Sequence, residues 1–182
     1  MFEYKTSFQD GLLEHIGTLG GKAPYSNPHT LTLVVATRSS NHNCSAADFV
    51  GREKEGSWTN NIPQSWMAVD IGATRTLQVN HYCLRHGSGD DNHVLRHWEL
   101  QGSNDGLNWT VLRQHSNDTS MGTTAYCEGH WEVNSPASNT PYRHFRILQT
   151  GKNSGWQGNP DDCLLCCGIE LYGKLTISSG DF

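Results

Sequence analysis

The chain has 182 residues, a formal net charge of −5, 35% hydrophobic and 17% charged residues, with six Trp, six Tyr and five Phe. That is enough chain and enough bulky apolar mass for one domain with a sizeable core, and the aromatic content and low charge exclude a disordered polypeptide. The acidic balance excludes a wholly basic nucleic-acid surface, and no apolar run approaches the length of a membrane-spanning helix.

Residues 7–28 form a Gly-rich entry segment, F-Q-D-G-L-L-E-H-I-G-T-L-G-G-K-A-P-Y-S-N-P, with one short strand or turn expected around 12–16. Residues 31–36 read as a strand, and 38–56, rich in Ser and Asn, as a long loop. W-M-A-V-D-I at 66–71 is a strand ended by Gly72, and 77–84 is another. R-H-G-S-G-D-D-N-H-V at 85–94 reads as a second loop. W-E-L-Q-G-S-N-D-G-L-N-W at 98–109 then gives a strand, a tight turn and the start of a return strand, because Asn104-Asp105-Gly106 tolerates positive φ. Residues 131–133 are a short strand, and 142–148 alternate with Phe145 and Ile147 on one side. Residues 151–162 form a third polar loop holding Trp156, and 164–172 close the domain as an apolar strand. Many short strands separated by turns, with almost no helical periodicity, predict an all-β sandwich or jelly roll. Loops of this length in a compact domain are usually functional or mobile.

The six cysteines read as reduced and structural. Cys83 and the pair Cys166-Cys167 sit in apolar strand runs, where a thiol behaves as a small hydrophobe. Cys163-x-x-Cys166 lacks the second ligand pair that structural zinc wants. Asp48, Asp70, Glu170, Asn104 and Asp105 are candidate oxygens for a structural cation such as calcium, but no linear calcium loop is present, and pairing with Arg or turn capping is the competing reading. No other cofactor is expected. Three N-x-S/T sequons occur, and the start of the sequence lacks a basic stretch followed by an apolar h-region, so no secretory signal is read there. No nucleophile, base and orienting partner can be assigned together, and the arginines are dispersed among acids, so neither catalysis nor nucleic-acid binding is expected.

The binding candidates lie in the loops. Arg85, His86, Asp90, Asp91 and His93 could grip a charged peptide, with Arg making bidentate contacts to a carboxylate; a solvated loop with one internal Arg–Asp pair is the alternative. Trp58 and Trp156 are candidate apolar anchors, and Asn60 and Asn61 candidate partners for backbone amides, unless the indoles pack under their own loops.

In order and spacing, W-M-A-V-D-I-G, W-E-L-Q-G-S-N-D-G-L-N-W, Y-R-H-F-R-I and G-I-E-L-Y-G resemble the discoidin or coagulation-factor C-type domain. The resemblance spans residues 30–173 and implies the galactose-binding-like β-sandwich, with an entry segment at 1–29 and a tail at 174–182. H-Y-C-L-R-H-G and the entry segment are similar to the intracellular branch found in large ubiquitin ligases and BTB adaptors, related to the Doc domain of the anaphase-promoting complex. Secreted members usually tie their termini with a disulfide, and no Cys lies near the start here. The resemblance implies termini at one end and recognition loops at the other, at 38–48, 57–64, 85–97 and 151–162, which adds Arg38, His42 and Asn159 to the candidates. It implies a monomeric, non-catalytic module of a cytoplasmic or nuclear protein that binds a peptide or protein segment, with no membrane partner. The rivals are carbohydrate or lipid binding, as in secreted relatives, and a purely structural domain.

Overall fold

The alternation read at 142–148 is realised in a computed structural model that describes residues 1–178. The first helix, α1, is Leu12–Gly17, and the strands are β1 (Val35–Arg38), β2 (Trp66–Asp70), β3 (Arg75–His86), β4 (Trp98–Ser103), β5 (Thr110–His115), β6 (Glu128–Glu132), β7 (His144–Gln149) and β8 (Cys166–Ile177). Two short 3-10 turns, Ala46–Val50 and Pro136–Asn139, complete the chain. The strands form a five-stranded sheet, β1-β2-β7-β4-β5, facing a three-stranded sheet, β6-β3-β8, and all pairings are antiparallel. This is the expected all-β sandwich.

The core lies between the sheets. Met67 and Val69 of β2, Trp98 and Leu100 of β4, and Phe145 and Ile147 of β7 meet Tyr82 and Leu84 of β3 and Ile169 and Leu171 of β8, all fully buried. Each such side chain contributes roughly 1.5–3 kcal/mol through removal from water. The polar atoms around Trp98 in this core are paired. Trp98 Nε1 donates to Tyr82 Oη at 2.9 Å, Tyr82 Oη meets His115 Nε2 at 2.7 Å, and His115 Nδ1 meets Asp118 Oδ2 at 2.6 Å. The Trp98 and His115 rings stack at 3.9 Å.

The entry segment departs from the sequence expectation: residues 12–17 are helical rather than strand or turn. Gly11 offers no side-chain cap. The cap comes instead from β8, where Leu13 N–H donates to Glu170 Oε1 at 2.7 Å and Glu14 N–H to Glu170 Oε2 at 2.8 Å. Glu170 is fully buried and pairs with the Arg52 guanidinium. Its carboxylate lies so close to Gly11 that a Cβ there would come within 2.3 Å of it, so glycine is required. N-terminal to the helix, residues 2–8 strap the outer face of the three-stranded sheet. Phe2 and Gly173 exchange backbone hydrogen bonds at 2.8 Å, Tyr4 stacks on His81, and Phe8 packs with Cys83 and Tyr172.

Other boundaries differ from the sequence reading, the strand expected at 131–133 lying at Glu128–Glu132 among them. The first strand begins at Val35, because Leu33 and Val34 donate their N–H groups back to the Pro28 carbonyl and keep 31–34 in a turn. Strand β3 continues through Arg85 and His86, which sequence assigned to a loop. Strand β8 runs past Gly173 to Ile177, pairing Lys174–Ile177 with β3, so the first part of the expected tail belongs to the sheet; residues 179–182 lie outside the described residues.

Candidate functional site

The C-terminal end of β3 and the N-terminal end of β8 meet three long connections, 39–65, 87–97 and 150–165. Backbone hydrogen bonds lace these together: Ser57 N–H to the Gly87 carbonyl, Gly87 N–H to Leu165, Thr59 N–H to Leu164, and His93 N–H to Gly155, all at 3.0–3.2 Å. Asn153, 3% exposed, fixes the last loop from within. Its amide donates to Asp161 Oδ1 at 2.6 Å and to the Cys163 carbonyl at 2.8 Å, and its oxygen accepts from Gly155 N–H at 2.7 Å. Gly155 has φ +70, and a Cβ there would lie 1.8 Å from the Asn159 carbonyl oxygen, so the turn that projects Trp156 depends on glycine.

A pocket of about 310 Å³ opens over this bed. Its walls come from all three connections: His42 and Trp58, then Ser88, Asp90 and His93, then Trp156, Cys163 and Leu165. The His42 and Trp58 rings stack at 5.8 Å, and those of His93 and Trp156 at 6.2 Å. Trp156 is 51% exposed, and a large apolar ring left that open performs no packing task in the core. Asp90 Oδ1 accepts from Ser88 Oγ at 2.9 Å and from Asn92 N–H at 3.0 Å. Burial raises the Asp90 pKa, but these donors outweigh it and hold the carboxyl below its usual range. His93 has φ +57 and carries Nδ1 to 2.7 Å from Asp161 Oδ2, an ion-pair distance whose angle falls short of a hydrogen bond. Burial and the neighbouring Asp161 and Asp162 push the Cys163 thiol up to about 11.

Five residues singled out in the sequence therefore converge on one concavity: His42, Trp58, Asp90, His93 and Trp156. Others stitch the loops that form it. Arg38 donates to Ser57 Oγ and to the Asn43 and Cys44 carbonyls, Asn60 N–H bonds Ser40 Oγ, Asn61 Oδ1 accepts from Asp162 N–H, and Asn159 closes the turn onto the Trp156 carbonyl. Asp91 is exposed beside the pocket without lining it. Arg85 does not reach the loop end. It lies on the outer face of the three-stranded sheet, 6% exposed, paired with Glu128, bonded to the Arg52 carbonyl and covered by the Phe8 ring. His86 is fully buried, and neither ring nitrogen makes a well-formed hydrogen bond. Burial lowers its pKa to about 4. Of the charged set Arg85, Asp90 and Asp91, only Asp90 therefore lines the pocket.

Ser88, Cys163 and Leu165 line the pocket without having been singled out as ligand contacts. Leu165 is invisible locally because it reads as strand interior; only its isolated backbone pairing with Trp58 brings it to the pocket.

The candidate cation oxygens are all engaged otherwise. Glu170 pairs with Arg52, Asp70 with Arg143, Asp48 caps the 3-10 turn at Ser45, Asn104 Oδ1 accepts from Arg143 N–H, and Asp105 closes its own hairpin turn. Among the described residues no cluster of three or more His, Cys, Asp or Glu side chains converges as ligands, and all six thiols are free.

The family model of the F5/8 type C domain matches residues 35–164. The chain belongs to that family. This F5/8 type C domain is 32% identical over 176 residues to the E3 ubiquitin-protein ligase Ufd4 of Drosophila melanogaster, covering 92% of the chain but only 6% of the ligase. It is 28% identical over 176 residues to the BTB/POZ domain-containing protein At2g30600 of Arabidopsis thaliana, covering 90% and 21% of the two chains. Among solved structures it is similar to CpGH89CBM32-5 from Clostridium perfringens, in complex with GalNAc-beta-1,3-galactose, with TM-score 0.57, 16% identity and coverage of 78% and 96%. That likeness shows the same galactose-binding-like sandwich.

Proposed function

We propose that this F5/8 type C domain is a recognition module that docks a peptide or protein segment in its loop-end pocket, serving as a substrate-recruiting part of a larger cytoplasmic or nuclear protein of the ubiquitin-ligase kind. The observation that carries this reading is the pairing of two indoles, Trp58 and half-exposed Trp156, from connections about a hundred residues apart, over loops already fixed by their own hydrogen bonds. A site rigid before binding loses little entropy when it binds. Sequence similarity to the ligase Ufd4 supports the cellular setting.

A glycan is the competing ligand. Sugars present adjacent hydroxyls that call for several convergent polar side chains. The polar side chains of this lining are His42, Ser88, Asp90 and His93; no Arg, Lys, Asn or Gln is among them, and the Ser88 hydroxyl and one Asp90 oxygen already bond each other. The reading is tested by screening the protein in parallel on a peptide library and a glycan array, with Trp156→Ala beside the wild type. Peptide capture that Trp156→Ala abolishes is the expected result. Capture of glycans alone, or peptide capture indifferent to Trp156, would overturn it.

A further inference from the structure

The pocket also carries information about the chemistry it fits, provided that it is the docking site. Its walls are ring systems: Trp58 and Trp156, each backed by a histidine. Asp90 is its fixed charge, and no Lys or Arg side chain lines it. Two more carboxylates, Asp161 and Asp162, stand behind Cys163 closely enough to oppose its ionisation. Aromatic surfaces with a carboxylate and no Lys or Arg beside them attract an organic cation, through the negative ring face and through the charge.

The donor count narrows the cation. A primary ammonium brings three N–H donors that need acceptors once they leave water. Asp90 Oδ1 already accepts two hydrogen bonds, which leaves its second oxygen as the free carboxylate acceptor of the lining, beside Ser88 and two imidazoles. An alkylated ammonium brings no such demand. Its charge is spread over methyl groups that pack against rings, and Leu165 in the lining supplies apolar contact. A volume of about 310 Å³ is at the small end of ligand sites and suits one side chain rather than a folded surface. We propose that the loop-end pocket recognises a trimethylated lysine side chain of a partner peptide, with Trp58 and Trp156 as its walls and Asp90 as its counter-charge.

This inference rests on the peptide-docking reading, and the test separates the two. A library of short peptides with randomised flanks is made in three forms at its central position: lysine, trimethyllysine, and a neutral isostere with a tert-butyl group in place of trimethylammonium. Binding is followed through the indole N–H resonances of Trp58 and Trp156 in the full chain, with Trp156→Ala and Asp90→Asn measured alongside. The expected result is a preference of about tenfold or more for trimethyllysine over both other forms. Asp90→Asn should erase much of that preference while leaving the weak binding of the neutral isostere unchanged. Equal binding of the isostere would reduce the site to an apolar slot and overturn the proposal. Equal or better binding of lysine would overturn it too, while leaving peptide docking intact so long as Trp156→Ala abolishes it. Absence of any Trp156-dependent binding in all three forms would remove both readings.

Discussion

His86 offers a sharp thermodynamic test of the fold. It closes β3 just beneath the loop end, fully buried, with both ring nitrogens lacking well-formed partners. Burial favours the neutral ring, so its pKa in the folded protein is lowered from 6.5 to about 4. The unfolded chain takes up a proton near pH 6.5 and the folded chain does not, so stability is fully present above that pH. It falls as the solution is acidified and levels off only below about pH 4. The gap corresponds to roughly 3 kcal/mol, a large share of the 5–15 kcal/mol typical of a domain. His81, His115 and His144 are shifted in the same direction by burial, so the wild-type slope has several contributors. The variant His86→Leu isolates one. Urea unfolding at a series of pH values should show it losing about 3 kcal/mol less than wild type between neutral pH and about pH 4. At neutral pH the variant should be close to wild type in stability, because neither ring nitrogen it removes makes a well-formed hydrogen bond. Parallel slopes for the two proteins would refute the claim that His86 is buried in its neutral form.

Other consequences can be read from single side chains. Glu170→Ala removes the cap of α1 and leaves the Arg52 charge without its buried partner; a loss of about 3–5 kcal/mol is expected, with hydrogen exchange of residues 12–17 accelerating most, and unchanged exchange there would count against the cap. Tyr82→Phe strands Trp98 Nε1 and His115 Nε2 in the core, at about 1–3 kcal/mol for each group left unpaired, seen as a lowered midpoint with ligand affinity intact. Gly155→Ala should do the opposite, impairing peptide binding far more than thermal stability, since it distorts only the turn that projects Trp156. In native protein, a thiol reagent should label Cys44 well ahead of buried Cys83, Cys166 and Cys167, and all six should react after unfolding.

The parts of this fold legible in the sequence are those decided within a few residues. The alternation of Phe145 and Ile147, and the Asn104-Asp105-Gly106 turn, reflect local geometry, and both stand where the pattern puts them. What escaped was decided at long range. Nothing in G-L-L-E-H-I-G announces a helix, because its capping carboxylate arrives from Glu170, more than 150 residues later. Arg85 and His86 look like loop residues by polarity, yet Phe8 and Glu128 cover the first and the top of the core encloses the second. The same division runs through the site. Trp156, Trp58 and the acidic loop were recognisable by residue type in polar surroundings. Which polar residues face the pocket and which hold the loops together depended on contacts such as Asn61 to Asp162, across 101 positions.

The paired hydrogen bonds between Phe2 and Gly173 have a mechanical consequence. They sit beside Val79 of β3, seven residues from the pocket end of that strand, or roughly 23 Å at the rise of an extended chain. A pull on residue 1 against the body of the domain would load this backbone pair first and peel the strap from the sheet, while a pull on residue 178 would first meet the pairing of Lys174–Ile177 with β3. The load path would bypass the loops, so the pocket would keep its shape under a tension that had already begun to unfasten the N-terminal segment.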